Sequence, residues 1–212
     1  LAQEFSDIAV TYSAKGNADY HAEFIRMNAT GCSYMLVNEH EKTACRVDMN
    51  MTGLYNVQNS LCAIAMVTAL GFDMTECAKA LSDLDGVDGR MNVIYRGDFT
   101  VITDYAHTDD ALKKVLSTLK PLTKGRLICV FGAAGDRDKE KRPMMAKAAE
   151  DNADILVITS DNPAHENPDE IIREVMTGIS GKKPCRCITD RREAIAYALD
   201  LSLIHISEPT RH

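Results

Sequence analysis

The sequence predicts an α/β protein whose second half forms a doubly wound, mostly parallel sheet. Short apolar runs occur at residues 99–103, 126–131 and 155–159, and each is followed by a polar loop and then by a helical pattern. Strands that alternate with helices of this length are typical of parallel sheets with helices on both faces. Because the carboxyl ends of parallel strands meet at one edge, we expect the three polar loops to lie together there.

The first half of the chain shows strand and then helix periodicity. Alternating patterns at residues 20–25, 33–37 and 43–47 predict strands. Val57, Leu61, Ile64 and Val67 recur at helical spacing, and Asp73 suits the N-cap of a second helix that reaches residue 84. Residues 83–89, rich in Gly and Asp, are interpreted as a linker. We therefore predict a first domain over residues 1–86.

The second predicted domain covers residues 87–200. Its pattern begins with two strands and continues with helices over residues 109–119, 143–150, 168–178 and 191–199. Further strands begin near residues 126, 155 and 184, between these helices. This regular alternation is the basis for predicting the doubly wound sheet.

Composition excludes several classes of protein. A net charge of -7 in 212 residues disfavours general nucleic-acid binding, which depends on clustered Lys and Arg. The longest apolar stretch, residues 60–70, is too short to cross a bilayer. The 7 cysteines include no C-x-x-C pair, which favours reduced thiols in the cytosol over a disulfide framework or a zinc site.

Two pairs of polar residues are candidates for ligand binding. Asp104 and His107 follow a strand, where a carboxylate can accept hydrogen bonds from ribose hydroxyls and an imidazole can donate to phosphate. Asn56 and Asn59 lie three residues apart at the start of a helix, so both amides can face an adenine edge. Helix capping is the alternative role for Asp104 and for the two asparagines.

The glycine-containing loop at residues 132–139 is not a phosphate loop of the G-x4-G-K-[ST] type, which occurs nowhere in the chain. Its Arg137 offers a planar guanidinium that can bind a carboxylate through two hydrogen bonds. The outer charges Lys139, Lys141 and Arg142 are interpreted as solvated. The loop at residues 161–164 is either a substrate contact or simply a turn.

Five ordered motifs resemble those of the ATP-dependent Mur ligases of bacterial cell-wall synthesis. They are Tyr55-Asn56-Val57-Gln58-Asn59, Gly89-Arg90-Met91, Asp104-Tyr105-Ala106-His107-Thr108, the glycine loop, and Asp161-Asn162-Pro163-Ala164. The resemblance covers residues 8–200 and points to the MurE-type members, which add the third residue of the stem peptide. It implies that residues 1–86 end a mixed α/β, ATP-binding central domain and that residues 87–200 form a Rossmann-like C-terminal domain.

The resemblance also implies roles for individual positions. It assigns nucleotide binding to Asn56, Asn59, Arg90, Asp104 and His107. It assigns the α-carboxylate of the incoming amino acid to Arg137, and the remaining substrate contacts to Asp161, Asn162 and Ala164. No catalytic or metal-ligating residue is assigned, because the phosphate loop and metal ligands of the family are expected to lie outside residues 1–212.

Ala164 bears on the choice of amino acid. Members that add meso-diaminopimelate typically have Arg at this position, where it pairs with the second carboxylate of that substrate. Because Ala164 stands there instead of Arg, the sequence predicts L-lysine, whose side-chain ammonium an arginine would repel. Nearby Glu166 and Asp169 are expected to favour that ammonium. Addition of meso-diaminopimelate is the alternative, and substrate choice stays open if residues 161–164 are only a turn.

The activity that the resemblance implies is amide-bond formation between a UDP-muramoyl dipeptide and a free amino acid, with ATP and Mg2+ as cofactors. The expected enzyme is a cytoplasmic monomer that neither binds nucleic acid nor inserts into a membrane.

A folylpolyglutamate-synthase-like ligase is an alternative with the same fold, although it is not expected to carry both Asp-Tyr-Ala-His and Asp-Asn-Pro. A dehydrogenase would need G-x-G-x-x-G, which is absent. For residues 1–212 taken alone, a non-catalytic nucleotide-binding module is a further alternative.

Residues 201–212 resemble the translation of a transposon-type sequencing adaptor. We therefore expect this segment to be foreign to the native fold, with an ordinary C-terminal extension as the alternative.

Overall fold

The structure, a computed structural model, describes residues 9–28 and 30–203. The chain forms two compact units. The first extends to Ile94 and includes Ile102–Asp104, and the second comprises Tyr95–Val101 and the residues from Tyr105 onward. The proposed domain limits, 1–86 and 87–200, stay predictions.

The first unit contains a mixed four-stranded sheet. Its strands are β1 (Tyr12–Ser13), β2 (Tyr20–Asn28), β3 (Gly31–Asn38) and β4 (Thr43–Met49), in the spatial order β1-β2-β3-β4. The pairing of β1 with β2 is parallel and the other two pairings are antiparallel. Along β3 every second residue is buried, which places one face of the sheet against the core of this unit.

Two helices cover that face. Helix α1 (Leu54–Ala69) buries Val57, Leu61 and Ile64, as the helical spacing predicts, and α2 (Met74–Ser82) follows it. The predicted N-cap is confirmed, because the Asp73 carboxylate accepts hydrogen bonds from the first-turn amides of α2 at 2.8 and 3.0 Å. Helix α2 ends two residues before the predicted end at residue 84.

The strands β5 (Asn92–Arg96) and β6 (Thr100–Thr103) form a separate two-stranded sheet. The prediction that residues 99–103 form one strand of the larger parallel sheet is therefore wrong for the described structure. A tight turn joins the two strands, with a 3.0 Å hydrogen bond from Gly97 N to Phe99 O. Such local pairing costs little loop-closure entropy and so competes well with pairing to a distant strand.

The second unit is a parallel three-stranded sheet with helices on both faces. Its strands are β7 (Ile128–Phe131), β8 (Ile155–Ile158) and β9 (Cys185–Cys187), paired in that order. Its helices are α3 (Asp109–Leu119), α4 (Lys141–Asn152), α5 (Pro168–Met176) and α6 (Arg191–Leu203). Leu156 and Ile158 share a core cluster with α3, α4 and α5, whereas Val157, which points the other way, packs against α6. The predicted doubly wound fold is confirmed.

Helix α6 continues beyond the predicted end at residue 199. Leu201, the first residue of the adaptor-like segment, is helical and accepts a hydrogen bond from Arg126 at 2.6 Å through its carbonyl oxygen. Residues 204–212 lie outside the described residues, and the foreign origin of the segment stays a prediction.

None of the helices within residues 9–28 and 30–203 is long and apolar enough to cross a membrane.

Near the C-terminal end of α4, the buried carboxylate of Glu150 holds the loop that leads into β9. It accepts hydrogen bonds from Ser180 N at 2.9 Å, Ser180 Oγ at 2.7 Å and Lys182 N at 2.9 Å. Burial by itself would raise the pKa of Glu150, but these hydrogen bonds outweigh it and lower the pKa from 4.5 to about 2.

Glu150 should make the stability of this unit depend on acid pH. Because its pKa is lowered on folding, its contribution is complete above pH 4.5 and is lost as the pH falls through about 2. We expect Glu150→Gln to lower the free energy of unfolding at pH 7 and to flatten its decline between pH 4.5 and 2. Urea unfolding of both proteins at several pH values measures this difference, and parallel pH curves would contradict it.

Candidate functional site

Two polar loops lie against each other at the carboxyl edge of the β7–β8–β9 sheet. One follows β7 at residues 132–140 and the other follows β8 at residues 159–167. Gly135 N donates a 2.8 Å hydrogen bond to Asn162 O, and a Cβ at Gly135 would lie 1.9 Å from Pro163 O. Glycine is therefore required at position 135 for the two backbones to approach this closely. Two of the three predicted loops are thus brought together.

Arg137 lies at the exposed part of the first loop. It follows Asp136, which has a φ of 54°, a conformation uncommon for residues other than glycine. No hydrogen bond or ion pair of the Arg137 guanidinium is found within the described part of the chain. The side chain is thus available to bind a carboxylate bidentately, as the sequence predicts.

The interpretation of Arg142 as a solvated charge is wrong. Its side chain is 1% exposed and lies between the two loops and α5. It donates to both oxygens of Glu166 at 2.8 and 2.9 Å, to Glu174 at 2.5 Å and to Ala134 O at 3.2 Å. Arg142 is the second residue of α4, directly before Pro143, and no sequence signal separated it from its exposed neighbours. Burial followed from tertiary packing alone.

Glu166 is engaged in this same cluster. Besides Arg142, it accepts a 2.7 Å hydrogen bond from Asp136 N and a 3.0 Å contact from Lys139 Nζ. The Arg142 hydrogen bonds are the largest cause that lowers the pKa of Glu166. Asp169 in turn accepts a 2.6 Å hydrogen bond from Thr189 Oγ1. The expectation that Glu166 favours a substrate ammonium is therefore not supported by its contacts, whereas the same expectation for the exposed Asp169 stays a prediction.

The second loop carries the remaining predicted substrate residues. Asp161 lies 3.5 Å from the guanidinium of Arg191, and Asn162 Oδ1 accepts a 3.2 Å hydrogen bond from Ala164 N. Ala164 is exposed and has a φ of 47°. Next to it, His165 Nδ1 lies 2.6 Å from Asp136 Oδ2, which joins the two loops once more. Ala164 places no charge at this surface.

The first unit contains a second group of candidate residues. Asp104 Oδ2 accepts a 2.9 Å hydrogen bond from the backbone of Met91, a buried residue with a φ of 48°. The alternative that Asp104 caps a helix is excluded, since Thr108 caps α3. Burial and the charge of Asp104 raise the pKa of Tyr55, whereas the charge of Arg90 lowers it, and the net shift is upward. Tyr55, Arg90 and Asp104 therefore lie close together.

Tyr55 is the residue that the sequence did not single out. Its hydroxyl is buried and has no hydrogen-bond partner among the described residues. A buried hydroxyl without a partner costs free energy. A polar ligand bound at Arg90 and Asp104 would accept a hydrogen bond from the Tyr55 hydroxyl, which stays protonated at neutral pH. The available signal was its position at the start of the Tyr55-Asn56-Val57-Gln58-Asn59 motif.

The two asparagines of that motif differ in environment. Asn56 is buried and its Nδ2 donates a 2.8 Å hydrogen bond to Thr52 O, whereas Asn59 is exposed. The N-cap of α1 is Gly53, so neither asparagine caps the helix. Only Asn59 presents its amide to solvent. Asn56 instead fixes the first turn of α1, and its predicted contact with adenine stays a prediction.

His107 belongs to the second unit, whereas Asp104 belongs to the first. The His107 ring is exposed, lies 2.9 Å from Tyr105 O through Nδ1, and packs edge-on against the Tyr105 ring. Within residues 9–28 and 30–203, no group of three or more His, Cys, Asp or Glu side chains could hold a metal ion.

Two sequence families match the chain. The Mur ligase middle domain matches residues 1–67, and the Mur ligase glutamate ligase domain matches residues 89–204. The chain is 42% identical over 194 residues to the UDP-N-acetylmuramoyl-L-alanyl-D-glutamate–2,6-diaminopimelate ligase of Geobacillus kaustophilus, and 38% identical over 200 residues to that of Aquifex aeolicus. These alignments include 90% and 91% of this chain but 39% of each relative.

Solved structures agree with this assignment. A UDP-N-acetylmuramoyl-L-alanyl-D-glutamate–2,6-diaminopimelate ligase is 38% identical, with a TM-score of 0.61 over 89% of this chain and 39% of the other. Folylpolyglutamate synthase of Mycobacterium tuberculosis has a TM-score of 0.71 at 18% identity, over 92% of this chain and 43% of its own, which shows a shared fold alone. The matched glutamate ligase domain covers more than half of the sequence, and the chain belongs to the Mur ligase family.

Proposed function

We propose that this chain forms part of a cytoplasmic, ATP-dependent amide ligase that adds the third residue to UDP-N-acetylmuramoyl-L-alanyl-D-glutamate. The observation that carries the proposal is the close contact of the two loops at the carboxyl edge of the β7–β8–β9 sheet, the first of which carries the exposed guanidinium of Arg137. Ligands of open α/β sheets bind at this edge. The relatives at about 40% identity, whose names state this reaction, support the same assignment.

In the proposed reaction, the side carboxylate of D-glutamate is activated by phosphoryl transfer from Mg2+-bound ATP, and the amine of the incoming amino acid displaces phosphate. Arg137 binds the α-carboxylate of that amino acid and thereby orients its amine. In the first unit, Arg90, Asp104 and the unpaired hydroxyl of Tyr55 fit a polar nucleotide group, and the exposed amide of Asn59 is a further proposed nucleotide contact. The contact of His107 with the nucleotide stays a prediction from the resemblance.

For the amino acid itself, we propose meso-diaminopimelate. The relatives cited above are named as ligases of this compound, and the contacts of Glu166 occupy one of the two carboxylates that were expected to favour an ammonium. L-Lysine, the substrate that the sequence predicts, is the second candidate because Ala164 supplies no cation for a second carboxylate.

The test is the ratio of kcat/KM for meso-diaminopimelate to that for L-lysine, measured in the complete ligase that contains this chain. We expect a ratio above about 10, the size of discrimination that one charge-assisted contact supports. A ratio below 1 would establish L-lysine instead. Ala164→Arg should raise the ratio in either case, because the new cation attracts the second carboxylate and repels the lysine ammonium. An unchanged ratio would show that position 164 does not face the distal group.

A further inference from the structure

The contacts between the two substrate loops converge on one ion pair. Glu166, at the end of the second loop, bonds Asp136 N of the first loop, and Arg142, at the start of α4, bonds Ala134 O of the same loop. The two side chains bond each other through two parallel N–H to carboxylate hydrogen bonds at 2.8 and 2.9 Å. Bidentate pairs of this kind fix orientation as well as distance. The first loop is thus held on both sides of Gly135.

The carboxylate of Glu166 has no capacity left for a substrate. Its two oxygens accept from both terminal nitrogens of Arg142, from Asp136 N and from Lys139 Nζ. A carboxylate offers about four acceptor positions, and all of them are used here. The guanidinium of Arg142 is equally enclosed, at 1% exposure. Neither side chain can bind an incoming amino acid without breaking this network.

We propose that Arg142 and Glu166 are positioning residues, which set the place of Arg137 relative to Asn162 and Ala164 and thereby the affinity for the incoming amino acid. The proposal rests on the proposed function for its kinetic consequence. Arg137 lies one residue after Asp136, whose amide Glu166 holds at 2.7 Å. A shift of about 1 Å in a substrate-orienting group can cost about a hundredfold in rate.

The variant that tests this is Glu166→Gln in the complete ligase, because it keeps the side-chain volume and removes the charge. We expect the KM for the amino acid to rise at least about tenfold and the KM for ATP to stay within about twofold. Glu150→Gln is the matched control. It removes a second multiply bonded carboxylate of the same unit, but at the loop that precedes β9, on the opposite edge of the sheet. It should lower stability without changing the KM for the amino acid.

Combining the change with Arg137→Ala separates positioning from general destabilisation. If Glu166 acts through Arg137, Glu166→Gln should raise the KM much less in the Arg137→Ala background than in the parent. Equal increases in both backgrounds would overturn the proposal, as would an unchanged KM in Glu166→Gln.

Amide hydrogen exchange supplies a readout that does not depend on ligase activity. Glu166→Gln should speed exchange at Gly135 and Asp136 by at least about tenfold relative to Glu150→Gln, because their protection depends on the contact between the loops. Unchanged exchange at these two amides would overturn the positioning role. A parent protein without ligase activity would contradict the proposed function instead, and the exchange result would still decide the role of the ion pair.

Discussion

Arg142→Met is expected to lower the free energy of unfolding of the second unit by about 3 kcal/mol, the lower end of the range for breaking a buried ion pair. The change leaves the carboxylates of Glu166 and Glu174 without their main partner. Both are partly exposed, at 18% and 39%, and Lys139 still contacts them, so the full cost of an isolated buried charge does not apply. Urea unfolding at pH 7, followed by far-ultraviolet circular dichroism, measures the change.

The neighbouring residue Lys141 provides the control. Its side chain is half exposed and approaches Asp138 only at 4.0 Å. Lys141→Met should therefore change the free energy of unfolding by no more than about 0.5 kcal/mol. A similar loss in both variants would show that the cluster around Arg142 contributes nothing specific. Stability would then depend on the charge of this helix start as a whole.

Arg137→Ala is expected to lower kcat/KM for the amino acid by about tenfold to a hundredfold in the complete ligase. The physical reason is the loss of a charge-assisted, bidentate contact with a carboxylate, which contributes about 1.5–3 kcal/mol. Because the guanidinium is exposed and unpaired among the described residues, its removal should leave stability unchanged within about 0.5 kcal/mol. Steady-state kinetics with the amino acid varied, together with a thermal melt, provide the two measurements.

Two further variants sharpen this test. Arg137→Lys keeps the charge but loses the planar fork, and it should fall between the parent and Arg137→Ala. Arg173→Ala removes an exposed arginine of α5 whose guanidinium lies 3.8 Å from Glu170, and it should not affect kinetics. If Arg137→Ala changes the KM for ATP as strongly as that for the amino acid, Arg137 does not bind the amino acid selectively.

Local signals predicted most of the elements well. Helix α3 begins and ends at the predicted residues, 109 and 119, and the Asp73 cap makes the hydrogen bonds that its sequence position implies. Capping residues, prolines and apolar periodicity act over a few residues, so they can be recognised without knowledge of the fold. The approach of the loops after β7 and β8 also follows from sequence, because parallel neighbouring strands end at a common edge.

The errors share a different cause. The pairing of β6 with β5 depended on competition between a tight turn and a distant strand, and the burial of Arg142 depended on two loops and a helix closing around it. Glu166 likewise satisfies its charge through partners within the protein. The contacts of Arg142 and Glu166 join residues 24 to 32 positions apart, a distance at which periodicity carries no information. The β5–β6 pairing is local, but its competitor was a distant strand that the sequence does not place.

By itself, the sequence determined the α/β alternation, the approximate positions of the helices and the family motifs, because each depends on local propensity or on a short ordered pattern. Only the tertiary structure decided which charges are used internally. Arg142 and Glu166 have the same chemistry as the surface residues around them, and their roles differ because packing buried Arg142 against Glu166 and left each as the other's main partner. A buried charge requires such a partner, whereas an exposed one does not, and only the folded chain determines which residues are buried.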